Sequence, residues 1–521
     1  MPDADDLDPL ARFAWHPEPE LLGLQDAARS RAALQRLGEE TWRAALDYLY
    51  DHALRRAMGE PREYKELRRV FFGPSARPAA APNDPTPSAA LLDEFRTRIA
   101  PHQLNAWHPR VFSYFTPTPL VASIAGELLG QWSHQGVDLW QAGPVAAFVE
   151  EEVVRWLCDL AGYGPGSFGL LTSGGVTANF LAMALARDVH LRRLRGAARP
   201  PRGAALEGVR VYTSDQTHFS IARALDKLGF PPETLAVLPA DDRFRLRAEP
   251  AAAAIAADRA GGLTPLAIAA ACGSTNTGSV DDVPALAALA ARERLWLHVD
   301  AAYGAAVRLS AREAWRAPGL ELADSVTVDP HKWFFQAYDI GGLVVRDGRQ
   351  LWPAYERTPE YYRDREVDAA AEGLAIETEE LHFYKLGLEG SRRSRALKLW
   401  LSWKHLGTSG FGRLVEATLD LAAHLARRCF EAEDFEALPA EPELSVVCFR
   451  HLPGGAAARS LPGEELDAHQ DRLAAALEAS GDGWLSTTRL RGATYLRAGI
   501  VSYLATPADV DRLLARLRAL Q

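Results

Sequence analysis

Lysine is scarce in this chain: six occur in 521 residues, Lys65, Lys227, Lys332, Lys385, Lys398 and Lys404, while lysine and arginine together number 58. Arginine is the ordinary cation here. A lysine standing where arginine would serve an ion pair equally well therefore marks a need for a primary amine, which, unlike a guanidinium, condenses with an aldehyde. Lys332 stands at such a place, closing Thr327-Val328-Asp329-Pro330-His331-Lys332 after an apolar β-rich run. A carboxylate, Asp300, ends the run Leu295-Trp296-Leu297-His298-Val299 and precedes Ala301 and Ala302, small enough for a flat ring to approach. An imidazole, His218, closes Ser214-Asp215-Gln216-Thr217-His218 beyond a third run, and Thr172-Ser173-Gly174-Gly175-Val176 opens into a helix after Leu170-Leu171. Glycines let backbone N–H groups approach an anion, and a helix N-terminus carries partial positive charge, so this turn is suited to a phosphate.

Each feature has a plain explanation by itself. A Ser-Gly-Gly turn often only connects a strand to a helix, a histidine is often a satisfied core residue, and a carboxylate at a strand end is often half of a structural ion pair. Together they meet the needs of one cofactor, pyridoxal 5′-phosphate. Lys332 would hold its aldehyde carbon as a Schiff base, the glycine turn its phosphate, and Asp300 its protonated pyridine nitrogen, keeping the ring an electron sink. His218 would cover one ring face and Ala302 the other.

These residues must be held by a scaffold that gathers strand ends. Short apolar runs at Val209–Thr213, Leu235–Leu238, Leu266–Ala271, Leu295–Val299, Ser325–Val328 and Leu343–Val345 alternate with helical segments, the pattern of a mostly parallel sheet buried on both faces. Ligands of such sheets collect at the carboxyl ends of the strands, where the candidate residues fall. Helices are expected over residues 20–72, followed by the proline-rich linker Gly73–Pro87. From Arg392 onward, helices at Ala396–His405 and Leu414–Phe430 and strands at Leu444–Arg450 and Thr494–Ile500 indicate a smaller α+β domain. The expected division is residues 1–88, an N-terminal helical segment and linker, 89–390, a large cofactor-binding domain, and 391–521, a small C-terminal domain.

Composition narrows the function. Apolar residues make up 48% and charged residues 24%, as in ordinary globular proteins, and the net charge is −10 without a basic face, so neither nucleic acid nor membrane is an expected partner. Cys158, Cys272, Cys429 and Cys448 form no CxxC pair and no zinc spacing, so no metal is expected. The acidic start Met1-Pro2-Asp3-Ala4-Asp5-Asp6 is unlike a signal peptide, and no apolar run reaches the roughly 18 residues of a membrane span. A cytoplasmic enzyme acting on a small molecule is expected.

With Asp329-Pro330-His331-Lys332-Trp333, His298-Val299-Asp300-Ala301-Ala302-Tyr303-Gly304, Thr172-Ser173-Gly174-Gly175, Ser214-Asp215-Gln216-Thr217-His218 and Ser391-Arg392-Arg393-Ser394-Arg395-Ala396-Leu397-Lys398-Leu399-Trp400 all present, the chain resembles the pyridoxal-dependent group II amino-acid decarboxylases from about residue 30 onward. The resemblance implies the fold of the aspartate-aminotransferase-like, fold type I transferases and an obligate homodimer with active sites at its interface. It implies Lys332 as the Schiff-base lysine, Asp300 as the pyridine partner and His218 as the stacking residue. Gly174, Gly175 and Val176 fall in the phosphate cradle, and Thr275 and His331 in the cofactor pocket. Trp107, Tyr114 and Phe115 match the aromatics of the substrate side-chain pocket. Asp138 departs from the glycine or aromatic residue of relatives; facing the pocket it would favour a cationic or hydrogen-bonding side chain, and otherwise it is surface. Thr116-Pro117-Thr118 is a second departure, leaving open which threonine serves the pocket. Tyr361, with Tyr362 second, stands where the family's loop tyrosine returns a proton to Cα after carbon dioxide leaves. The implied reaction is decarboxylation of an L-amino acid, aromatic favoured. Aldehyde formation, transamination, and glutamate, histidine or diamino-acid substrates are the alternatives, with a cofactor-free scaffold as the non-enzymatic one.

Overall fold

The apolar runs lie side by side in one seven-stranded sheet in the computed structural model, which describes residue 8 and residues 10–59, 63–355 and 380–521. The strands are β1 (Phe168–Thr172), β2 (Val209–Ser214), β3 (Leu235–Leu238), β4 (Thr264–Ala271), β5 (Trp296–Asp300), β6 (Ser325–Val328) and β7 (Gly341–Val345), in the order β1-β7-β6-β5-β4-β2-β3. Pairings from β6 through β5, β4 and β2 to β3 are parallel, with the helices Ser220–Lys227, Ala248–Ala260 and Val283–Glu293 as crossovers. β7 runs antiparallel to both β6 and β1. The stretch 329–340 between β6 and β7 carries no crossover helix, so the chain turns back on itself, and this return contains Lys332. β1, β6 and β7 are buried at every residue.

The helix Gly175–Leu185 follows β1 and packs on β6 and β7. It is apolar nearly all round, as a helix inside a large core must be, and Asn179 is buried on it among alanines and leucines. The strand leading into this helix is pinned by a buried ion pair. Glu150 accepts from Leu171 N at 2.9 Å, while Arg392 bonds both Glu150 oxygens and the Leu171 carbonyl, with side chains no more than 1% exposed.

A second, antiparallel sheet has the order β10-β11-β9-β8, with β8 at Phe435–Ala437, β9 at Val446–His451, β10 at Ser486–Leu490 and β11 at Ala493–Gly499. The two expected helices after Arg392 form one element, Ala396–Glu431, broken at Gly407, whose φ of 65° and ψ of 165° are not helical. Strands β8 and β10 carry no apolar run that would announce them, since one is very short and the other, Ser-Thr-Thr-Arg-Leu, is polar and half exposed. The chain forms two compact units, one of residues 1–111, 471–485 and 512–521, and another of residues 112–470 and 486–511 that holds both sheets. In the first, the helices Ala27–Asp47 and Tyr64–Phe72 occupy much of the region expected to be helical. Among the described residues no helix is long and apolar enough to cross a membrane, and all four cysteines are buried.

Candidate active site

The return between β6 and β7 brings Lys332 Nζ to 3.2 Å from Asp329 Oδ2, which lies 3.7 Å from His331 Nε2. Asp329 is 1% exposed, and its Oδ1 has no hydrogen-bond partner among the described residues. Lys332 remains partly exposed, so its amine is both paired and reachable. Burial is the first cause holding the His331 imidazole below its ordinary pKa, and its Nδ1 accepts the Ile340 backbone N–H at 3.2 Å. The glycine turn packs against this group. At Gly174 φ is 152°, a region that side chains rarely adopt, and a Cβ there would stand 3.0 Å from His331 Cε1. A Cβ on Gly175 would meet Asp329 Oδ2 at 2.8 Å and Ala302 Cβ at 3.3 Å. Packing against Asp329 thus accounts for Gly175 independently of any anion. The helix starting there has no side-chain cap, which leaves its first N–H groups available to an anion, and Val176 is 40% exposed beside them.

Asp300, at the end of β5, accepts from the Ala302 backbone N–H at 3.2 Å through Oδ1 and from Asn179 Nδ2 at 2.7 Å through Oδ2. Asn179 also donates to Ser220 Oγ at 2.7 Å, and Ser220 Oγ lies 2.8 Å from His218 Nδ1. His218 and Asp300 therefore stand on one hydrogen-bonded chain. Burial, outweighing the attraction of Asp300, keeps the His218 imidazole below its ordinary pKa, and Lys332, Asp329 and Arg223 are the other charges it feels. Ala302 is 6% exposed.

A column of rings backs the site. Phe115 stacks on Tyr303 at 4.2 Å between centroids, and Tyr303 stacks on Trp333 at 4.8 Å. Two cations share the Phe115 ring, Lys332 Nζ at 5.9 Å and the Arg497 guanidinium carbon at 4.7 Å from its centroid. Arg497, from β11, is 4% exposed, donates through Nε to the carbonyls of Thr275 and Asn276 at 2.9 and 3.1 Å, and has no partner for the buried Nη2 among the described residues. Burial pulls its pKa below the ordinary arginine value. Neither Arg497 nor Asn179 is marked as a site residue by the sequence motifs. The available signal for Arg497 is a cation inside an apolar strand, which is costly unless a partner compensates it.

The remaining candidates are more scattered. Thr275 contributes its carbonyl to Arg497, and its residue surface is exposed. Tyr114 is 58% exposed at φ 54°, and its carbonyl would stand 2.2 Å from a Cβ on Gly499. Trp107 is half-buried in a turn of the first unit. Asp138 is half-buried with its carboxylate folded onto Gly136 and its carbonyl accepting from Tyr384 N at 3.3 Å; these contacts are not with Lys332, Asp300 or His218. Tyr361 and Tyr362 lie outside the described residues.

The donor set fits pyridoxal phosphate: a partly exposed lysine, a carboxylate held at a strand end beside a buried alanine, an imidazole, and a helix start without a side-chain cap. Residues 74–452 match the family model described as the pyridoxal-dependent decarboxylase conserved domain. The chain is 32% identical over 415 residues to an aromatic-L-amino-acid decarboxylase of Bacillus atrophaeus, covering 79% of this chain and 81% of that one. It is 31% identical over 437 residues to an L-2,4-diaminobutyrate decarboxylase of Rhizobium meliloti, covering 83% and 82%. The crystal structure of Oryza sativa TDC with PLP and tryptamine superposes with a TM-score of 0.83 at 25% identity, covering 95% of this chain and 98% of that one. A partly exposed lysine gathered with a carboxylate and an imidazole at strand ends, and a sequence match spanning most of the chain, lead to one conclusion: the chain belongs to the pyridoxal-dependent decarboxylases, fold type I enzymes that use pyridoxal 5′-phosphate to remove carbon dioxide from an amino acid.

Proposed function

We propose that this enzyme converts an L-amino acid, with an aromatic one favoured, to its amine and carbon dioxide. Arg497 carries the reading: a buried cation with an unpartnered Nη2 among the described residues, sharing the Phe115 ring with the Lys332 amine. A substrate bearing an amine and a carboxylate on one carbon would give its carboxylate to Arg497, and the product amine, lacking the carboxylate, would lose that pairing. When bound, pyridoxal phosphate supplies the electron sink for the bonding pair left at Cα. Lys332 is proposed to anchor its aldehyde carbon, Asp300 to pair with its ring nitrogen, and His218 and Ala302 to flank its ring. Gly174, Gly175 and Val176 would bind its phosphate, with Thr275 and His331 completing the pocket. Phe115, Tyr114 and Trp107 are proposed to line the side-chain pocket. Tyr361, or Tyr362 in its place, is proposed to return a proton to Cα.

We read the enzyme as a homodimer. The helix Val121–Ser133 exposes Val121, Leu128, Leu129 and Trp132, and the next helix adds Val145 and Phe148. This face adjoins the site: Leu120 N donates at 2.8 Å to the carbonyl of Phe335, in the loop that carries Lys332, and Tyr338 of that loop is exposed beside His331. An apolar stripe continuous with a catalytic loop suits a second copy of the chain. Four cysteines with no CxxC pair and no zinc spacing suit a reducing compartment, and a cytoplasmic location is proposed on that ground.

Incubation of the purified enzyme with the common L-amino acids, with products identified by mass, tests the reaction. Amine and carbon dioxide in equal amounts, foremost from aromatic substrates, are expected. Aldehyde with hydrogen peroxide and ammonia would replace the proposed reaction by an oxidative one, and turnover of glutamate or a diamino acid alone would overturn the aromatic preference.

A further inference from the structure

Asn179 is 1% exposed and uses all of its hydrogen-bonding capacity inside the protein. Its amide nitrogen lies 2.7 Å from Asp300 Oδ2 and 2.7 Å from Ser220 Oγ; its amide oxygen lies 2.9 Å from His298 Nε2 and 2.6 Å from Thr327 Oγ1. A carboxylate can only accept, so the NH2 group must face Asp300, and the orientation of the amide follows from chemistry. The amide oxygen then requires donors, so His298 carries its proton on Nε2. That leaves His298 Nδ1 to accept from Ser325 Oγ at 2.9 Å, and Ser325 Oγ in turn accepts from Trp296 Nε1 at 3.0 Å. Burial agrees with a neutral ring here, pushing the His298 pKa down to about 4.

The same polarity continues on the other side. Ser220 Oγ accepts from Asn179, so its own proton is free for His218 Nδ1, and the Ser220 backbone N–H, at 3.3 Å, also donates to that nitrogen. A protonated Nδ1 would set that N–H against another donor. Donation thus runs one way, from Trp296 through Ser325, His298 and Asn179 to Asp300 and, through Ser220, to His218. A saturated network of this kind specifies a unique arrangement.

We infer that Asn179 is a positioning residue that fixes the Asp300 carboxylate and, through Ser220, holds His218 as the neutral imidazole with its proton on Nε2. His218 then offers a hydrogen-bond donor at Nε2, and Nδ1 is closed to proton transfer. The inference rests on the proposed roles of Asp300 and His218 beside the cofactor ring. Nitrogen-15 spectra of histidine-labelled full-length holoenzyme at neutral pH read the tautomer directly, without any substitution. Both His218 and His298 are expected as neutral rings protonated on Nε2; a proton on Nδ1 of His218, or an imidazolium there, overturns the inference. In Asn179→Ala, the His218 signal should become a mixture of tautomers and cofactor should bind about tenfold more weakly, the scale of one charge-assisted hydrogen bond. An unmixed His218 signal with unchanged cofactor affinity in Asn179→Ala also overturns it. Asp300→Asn separates the two levels. If that variant leaves cofactor affinity and the visible spectrum unaltered, the proposed role of Asp300 fails; if it weakens binding and Asn179→Ala does not, only the role of Asn179 fails.

Discussion

A guanidinium stripped of water beside an aromatic face recovers little of its lost solvation unless an anion arrives. Two backbone carbonyls accept from Arg497 Nε, and its buried Nη2 has no partner among the described residues, which is the ground on which a substrate carboxylate is proposed there. Arg497→Met is expected to lower kcat/KM by roughly 10- to 150-fold, corresponding to about 1.5–3 kcal/mol for hydrogen bonds to a charged group, with most of the change in KM. Steady-state kinetics check this, and an unchanged KM would remove Arg497 from substrate binding. The residue is hard to single out in the sequence for the reason that makes Lys332 visible: arginine is the common cation of this chain, so its one mark is its place inside an apolar strand, whereas each lysine stands out by rarity. Asn179 follows the glycine turn closely but is not marked as a site residue there, because its four partners come from β5, β6 and the start of the Ser220 helix, and only folding brings them together.

Elements set the stage by their ends. β1 delivers the glycine turn, and the Glu150–Arg392 pair holds the Leu171 peptide just before it. Arg392→Met would leave the Glu150 carboxylate buried without a cation, at a cost of about 3–5 kcal/mol measured by urea denaturation, and Glu150→Gln added to it should restore part of the loss. Equal midpoints for the wild type and Arg392→Met would show that the pair does not hold this strand. The Ser391–Trp400 motif was legible, but its partner lies 242 residues earlier and nothing in the spacing marked it. Strand positions in the seven-stranded sheet were legible within about two residues because most of these strands are continuous apolar runs, whereas β8 and β10, short or polar, were not. The direction of β7 was not, because a β-rich run reads the same both ways and direction depends on the connection before it. The break at Gly407 fell between the two helices expected there, as a glycine at φ 65° allows.

At the scale of the whole molecule, the apolar helix face and the site are joined through the loop that carries Lys332. Leu128→Glu with Trp132→Glu places two charges on the exposed stripe, so sedimentation should show a monomer with activity lost, against an active dimer for the wild type. A fully active monomer would remove the second copy from the site. The fold class was legible from the alternation of strands and helices, and the cofactor from four strand ends. The substrate was not, since the shape of a pocket depends on distances that spacing does not supply.

Attachment of the cofactor is the property on which the rest depends. Holoenzyme reduced with borohydride and digested for peptide mass analysis should carry the pyridoxyl group on Lys332 alone among the six lysines, with the visible absorbance band lost on reduction and absent from Lys332→Ala. A pyridoxyl group on another lysine, or a colourless protein that takes up no added pyridoxal phosphate, would contradict it.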